Sequence, residues 1–355
     1  PHLHDFRERI KINGQMITEE YVIDFTKRIQ PLIEEIEPSF FEITVAMAFE
    51  YFANENVDIA IVEVGLGGRL DSTNIITPEL SIITNIGWDH MNLLGDTLEK
   101  IAAEKAGIIK PTIPVVIGEA IPETRNVFEQ KANEQHAELH YAQEEFNLLS
   151  NAYRQDSLQV EVKEKGSDAA LHYELDLPGI YQTKNILTVL SSVRQLQQRN
   201  WKISEEHLQS ALKQTKQING LHGRWEVIHH NPTLVLDVGH NEDGMKEVAA
   251  QLAKSRYNQL HLIIGMVRDK DISSVLSLLP KAATYYFTKA LIPRALSETD
   301  LQAKALAFDL KGETFANVNI AIKIALQKAA ADDLILVCGS VFLVGEVDIE
   351  KIVNV

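Results

Sequence analysis

Short β-branched apolar runs alternate with helix-patterned segments along most of this 355-residue chain, and that alternation limits the fold more than any other feature. The runs "VDIAIVEV" (57–64), "LSIITNI" (80–86) and "IPVVIG" (113–118) are continuous rather than alternating. Strands of that kind predict a parallel sheet with both faces covered. Residues 18–36 have helical apolar spacing with Thr18 as N-cap, and Pro38–Ser39 open a second helix, "FFEITVAMAFEYFANE". Residues 138–176 alternate polar and apolar around "EKGSD", which predicts hairpin strands, and helices are predicted over 183–199 and 204–216. After "QINGLHGRWEV" the pattern restarts with "TLVLDVG", "HLIIGMV", "AATYYF" and "DLILVCG". The expectation is an α/β chain of two units divided near Gly220, at 1–220 and 221–355.

The formal net charge of −16, with no basic stripe to offset it, argues against a nucleic-acid or anionic-membrane binder. An anionic ligand must be held by a local site. Cys338 is the only cysteine, so no internal disulfide forms and a reducing cytoplasm is expected. No apolar run reaches membrane-spanning length.

The string "VEVGLGGRLDSTN" (62–74) raises the question of a phosphate loop. It lacks the lysine of G-x-x-x-x-G-K-[ST], which must reach the phosphates. It also fails G-x-G-x-x-G, because Leu70 stands at the third glycine position after Gly65 and Gly67. Lys165-Gly166-Ser167 has no upstream glycine and reads as a hairpin turn. What remains is Glu63, a carboxylate in an apolar strand, which needs a cation or a donor nearby. A salt-bridged structural acid is the alternative. Asp89 and His90 follow the next strand, at the end where parallel sheets bind ligands. An acid and an imidazole at adjacent strand ends can converge on one metal, although magnesium prefers carboxylate and phosphate oxygens and a lone histidine after a strand is more often structural. Lys105 lies in the helix that follows, which Gly107 is expected to end; its other reading is an exposed lysine paired with Glu104 or Glu99.

The strings "EVGLGGRLDSTN" and "GWDHMNLLGDTLEKIAAEKAGIIKP" resemble the folylpolyglutamate synthase/dihydrofolate synthase family, relatives of the Mur ligases. "PHLHDFRERIKING", "PSFFEITVAMAF", "GIYQTKN" (Tyr181 where the family usually has histidine), "GRWEV", "LDVGHN" and "CGSVFLVGEV" extend the resemblance over nearly the whole chain. It implies a Mur-ligase-like fold: a P-loop-type nucleotide-binding domain and a smaller Rossmann-like C-terminal glutamate ligase domain. The family's first strand and P-loop would lie upstream of Pro1, and the chain is expected to be inactive without them.

The resemblance implies ATP-dependent joining of L-glutamate to dihydropteroate or a folyl-polyglutamate through an acyl phosphate. It implies Glu63 and His90 as magnesium ligands, and Lys105 as the family's carbamylated lysine, these being the catalytic group. Asn185, Arg224, Asp237, His240 and Asn241 would hold ATP. Asp71, Phe41 and Arg69 would contact the pterin substrate, with Asp71 accepting paired hydrogen bonds from the aminopyrimidine edge. The family's alanine is replaced by Gly239, and no loss of function is expected from that. A monomer with small-molecule partners is expected. The alternatives are a Mur-type UDP-sugar peptide ligase, against which "FFE" and "GGRLD" argue, and an inactive folate- or nucleotide-binding remnant.

Overall fold

A computed structural model describes residues 2–88, 90–154, 156–268 and 272–353. The N-terminal helices are α1 (Glu19–Ile36) and α2 (Phe40–Asn54). Each is capped as its sequence predicts. Thr18 Oγ1 accepts the Tyr21 N–H, and Ser39 and Glu42 form a reciprocal capping box.

A parallel sheet follows in the order β1 (Ser81–Ile83), β2 (Val115–Ile117), β3 (Leu139–Tyr141), with α3 (Leu98–Ala106) and α4 (Pro122–Glu134) as its crossovers. An antiparallel sheet of β4 (Phe146–Arg154), β5 (Ser157–Glu164) and β6 (Ala170–Leu175) comes next. Gly166, at φ +85°, turns the chain between β5 and β6, as the hairpin reading requires. Helices α5 (Gln182–Gln198) and α6 (Glu205–Lys213) complete this half.

The second half holds one six-stranded sheet. Its members are β7 (Glu226–His230), β8 (Thr233–Leu236), β9 (Leu260–Ile264), β10 (Thr284–Phe287), β11 (Gly312–Thr314) and β12 (Leu334–Cys338). The order is β11-β10-β9-β12-β8-β7, parallel except for β7. Alternate residues serve two cores. Val235, Leu262 and Leu336 face one side, and Leu234, Ile263, Ile335 and Val337 face the other. Helices α7 (Glu242–Lys254) and α8 (Glu298–Leu306) pack on the first side and α9 (Val318–Lys328) on the second. Cys338 ends β12, wholly buried, and burial pushes its thiol well above the ordinary range.

Three expectations are corrected. Residues 59–64 form no regular strand, and Ile61 is 95% exposed. A strand needs a ladder partner, and among the described residues β1 pairs only with β2. Leu139–Tyr141 is a third parallel strand rather than part of the hairpin sheet. The helix predicted over 204–216 breaks at Gln214, whose φ of −132° is not helical.

The first half is tied together by a half-buried polar cluster. Glu145 accepts from Ser191 Oγ at 2.5 Å and lies 2.7 Å from His140 Nδ1, joining β3 to α5. Its hydrogen bond to Glu145 raises the His140 imidazole above its ordinary value, with the more exposed Glu138 adding to the effect. A raised histidine stabilises the fold fully below about pH 6.5 and loses that contribution as pH rises through the raised value. The Tm gap between the parent and His140→Gln should therefore be larger at pH 6 than at pH 8.5. A gap independent of pH in thermal melts would show that the histidine is neutral in the fold.

Candidate active site

The glycines of "GLGGR" serve close packing against protein rather than a phosphate cradle. Gly67, at φ +67°, lies against Leu94, and a Cβ on Gly68 would fall 2.9 Å from the Glu104 carbonyl and 3.0 Å from that of Lys105. A Cβ on Gly107 would meet Arg69 Cα at 2.3 Å. The loop therefore lies flat on the last turn of α3, where it adds donors to the carbonyls of the helix end. The Arg69 N–H donates to Glu104 O at 2.8 Å, and Asn74 Nδ2 donates to Gly107 O at 3.0 Å. The Arg69 guanidinium pairs with the Glu104 carboxylate at 2.9 Å. Glu104 is thus engaged by arginine, and Lys105 sits partly buried in the same turn.

Asp71 holds the loop's own shape. One carboxylate oxygen accepts from the Thr73 N–H at 2.9 Å and from Thr73 Oγ1 at 2.5 Å, and the other accepts from the Leu66 N–H at 2.8 Å. A carboxylate offers about four acceptor positions. One remains on the oxygen that faces Leu66, so Asp71 can take a single further donor rather than a pair.

A cleft of about 510 Å³ opens beside this loop, with Asp71, Arg69 and Leu70 on one wall and Glu42, Val45 and Phe49 of α2 on the other. Phe41 lies elsewhere. Its ring presses on Gly65, where a Cβ would fall 2.4 Å from Cζ, so the aromatic side chain of the cleft is Phe49. Sequence reasoning missed Glu42, Val45 and Phe49, although their spacing of three and four residues places them on one helical face.

Glu63 and His90 are both exposed; His90 follows β1 in a left-handed conformation at φ 51°. Asp89 lies outside the described residues. Burial lowers the Arg9 guanidinium from its ordinary value, and the nearby Glu63 charge opposes that shift. Among the described residues no three His, Cys, Asp or Glu side chains gather as a metal centre. A carboxylate oxygen is a usual magnesium ligand, whereas an imidazole is an uncommon one.

Asp237 stands at the end of β8 and is 4% exposed. It accepts from the Gly239 N–H at 2.8 Å, the Trp225 N–H at 2.9 Å and the Tyr181 hydroxyl at 3.4 Å. Burial pushes its carboxyl up, while these backbone bonds and Arg224 act in the opposite direction. Asp237 thus joins three chain segments, with Arg224 beside it. His240 Nδ1 lies 2.9 Å from Val238 O, and Asn241 caps α7 by accepting the Gly244 N–H at 2.8 Å. Asn185 is exposed in the first turn of α5 and donates to Gln182.

Two family descriptions match the chain: the Mur ligase middle domain over residues 11–193 and the Mur ligase glutamate ligase domain over residues 223–341. The dihydrofolate synthase/folylpolyglutamate synthase of Bacillus subtilis is 33% identical over 98% of this chain and 81% of its own length. The Escherichia coli enzyme of that name is 30% identical over 98% of this chain and 78% of its own. The chain belongs to the folylpolyglutamate synthase/dihydrofolate synthase family. Solved members share its two-domain fold. Escherichia coli FolC in complex with DHPP and ADP superposes with a TM-score of 0.83 at 27% identity, covering 100% of this chain and 80% of that one. The Mycobacterium tuberculosis folylpolyglutamate synthase complexed with ADP and AMPPCP gives 0.85 at 28%, covering 97% and 82%. This synthase is accordingly an ATP-dependent ligase of the Mur type. Among the described residues no helix is long and apolar enough to cross a membrane.

The contact of the synthase loop with α3 can be tested at one atom. Gly107 has φ −59°, which alanine adopts freely, so only the collision with Arg69 opposes a methyl group there. Gly107→Ala should destabilise the fold by roughly 1–3 kcal/mol in denaturant titration, as overpacking does. A neutral or stabilising result would mean that the loop is not seated on the helix.

Proposed function

We propose that the protein joins the amino group of L-glutamate to the carboxylate of dihydropteroate or of a folyl-polyglutamate, with ATP as the driving substrate. The observation that carries this reading is the Asp71 cleft, built on the loop that seats against the turn bearing Lys105. The substrate carboxylate attacks the terminal phosphorus of ATP and ADP departs. The amine of glutamate then attacks the acyl phosphate, loses a proton and displaces inorganic phosphate. The protein's part in such transfers is positioning and charge neutralisation.

The apolar wall of Val45, Phe49 and Leu70 accepts the pterin, and the free acceptor position on Asp71 takes one donor from its aminopyrimidine edge. Glu63 and His90 would hold magnesium, which when bound screens the phosphate charge. Carbamylation of Lys105 would turn a cation into an anion beside the same loop. Arg224, with a forked set of donors, and His240 and Asn241 at the start of α7 serve the nucleotide from the C-terminal domain, and Asn185 serves its base. Asp237 acts there through the backbone that it fixes. The domain division lies near Gly220, whose φ of 58° turns the connecting segment. The protein works as a cytoplasmic monomer on small molecules.

Glutamate-dependent ADP release with a pteroate acceptor tests the reaction; turnover of a UDP-sugar peptide in its place would overturn it. Asp71→Ala in the intact protein should lower kcat/KM for dihydropteroate about 10- to 100-fold, the worth of one hydrogen bond to a charged group. It should also lower Tm, because three loop bonds go with it. Thr73→Val removes only the hydroxyl bond and should lower Tm while leaving kcat/KM near the parent. Equal kinetic losses in the two variants would reduce Asp71 to a loop clamp.

A further inference from the structure

Helix α7 carries a polar stripe, Asp243, Glu247 and Gln251, at four-residue spacing, which sets them on one face. All three reach into the N-terminal half. Asp243 Oδ2 accepts the Trp88 N–H at 2.8 Å. Glu247 meets Lys184 at 2.8 Å, and Lys184 also meets Glu119 at 3.2 Å. Gln251 Oε1 accepts the Ile180 N–H at 2.6 Å and the Tyr153 hydroxyl at 3.0 Å. Trp88 and Glu119 follow the C-terminal ends of the adjacent parallel strands β1 and β2. The stripe therefore lies across the sheet edge where α/β proteins bind their ligands.

We propose that Asp243 is a positioning residue for the ligation reaction: from the C-terminal domain it fixes the backbone of the segment that presents His90. The role rests on the proposed function, in which His90 serves the phosphate end of the substrate. His90 adopts a left-handed conformation, which is unfavourable for an ordinary residue and persists where surroundings hold it. The Asp243 carboxylate provides such a hold two residues earlier. It is anchored in the first turn of α7, whose Asn241 cap fixes the helix start, and Lys246 Nζ steadies it at 3.2 Å. It also occupies the space beside Gly87, where a Cβ would lie 2.3 Å from Oδ2. A side chain at 87 would make the carboxylate swing away and open its bond to Trp88. The His90 segment is thus set only when the C-terminal domain is seated, which couples glutamate delivery to readiness for phosphoryl transfer.

Four proteins test this: the parent, Asp243→Ala, Asp243→Asn and Gly87→Ala. Both Asp243 variants lose the charge that favours a helix N-terminus, and only alanine loses the acceptor. Exchange of the Trp88 amide, followed in peptides covering 81–88, should quicken about tenfold or more in Asp243→Ala and Gly87→Ala, the worth of one charge-assisted bond, and stay near the parent in Asp243→Asn. In the intact protein, kcat should fall about tenfold in the same two variants, with KM for the pteroate acceptor within about twofold and most activity kept by Asp243→Asn. Unchanged exchange in Asp243→Ala would overturn the proposal. So would a kcat loss that follows Tm and is not relieved by asparagine. A parent without glutamate-dependent turnover would instead overturn the proposed function, and the Trp88 exchange would still decide whether Asp243 holds the segment.

Discussion

The seating of a glycine loop on the end of α3 is the contact on which the N-terminal site depends. Glu104 O, Gly107 O and the Glu104 carboxylate are all engaged by residues 69–74. The exposed Arg69–Glu104 ion pair adds little by itself. The larger effect is steric and directional: Gly68 and Gly107 allow two backbones to approach at distances that any Cβ would forbid. That approach places the cleft wall, Asp71 and the turn of Lys105 in one rigid unit.

A second junction, at Asp237, does for the C-terminal domain what the loop does for the first. One buried carboxylate gathers the start of α5, the connecting segment at Trp225 and the turn after β8. A buried carboxylate is costly unless its oxygens are engaged, so these donors and the acid define one another. Tyr181, in place of the family's usual histidine, keeps a donor at that position and adds a ring that covers Gly179.

Much of the fold was legible because apolar period and length specify strands buried on both faces; β8, β9, β10 and β12 appear where the four runs of the second half predict them. The partly exposed edge strands β7 and β11 were missed, since a strand with one open side carries a weaker apolar signal. The run 57–64 shows the opposite failure: its composition reads as strand, yet pairing depends on a neighbour that a local pattern cannot specify. On the cleft wall stand Asp71 and Arg69, both singled out by the loop motif. Phe41, expected to contact the pterin, packs on Gly65 while Phe49 lines the cleft, because which side of α2 meets the loop is settled by that packing and not by the helix sequence.

The single thiol has a practical consequence. Cys338 lies sealed within the second sheet, and burial keeps it protonated, the form that does not react with electrophiles or disulfides. Burial of this thiol shields the native chain from maleimide reagents. A cysteine introduced on each side of the domain junction would carry a fluorophore or spin label without background, and the distance between the labels would report the seating of one domain on the other directly in solution.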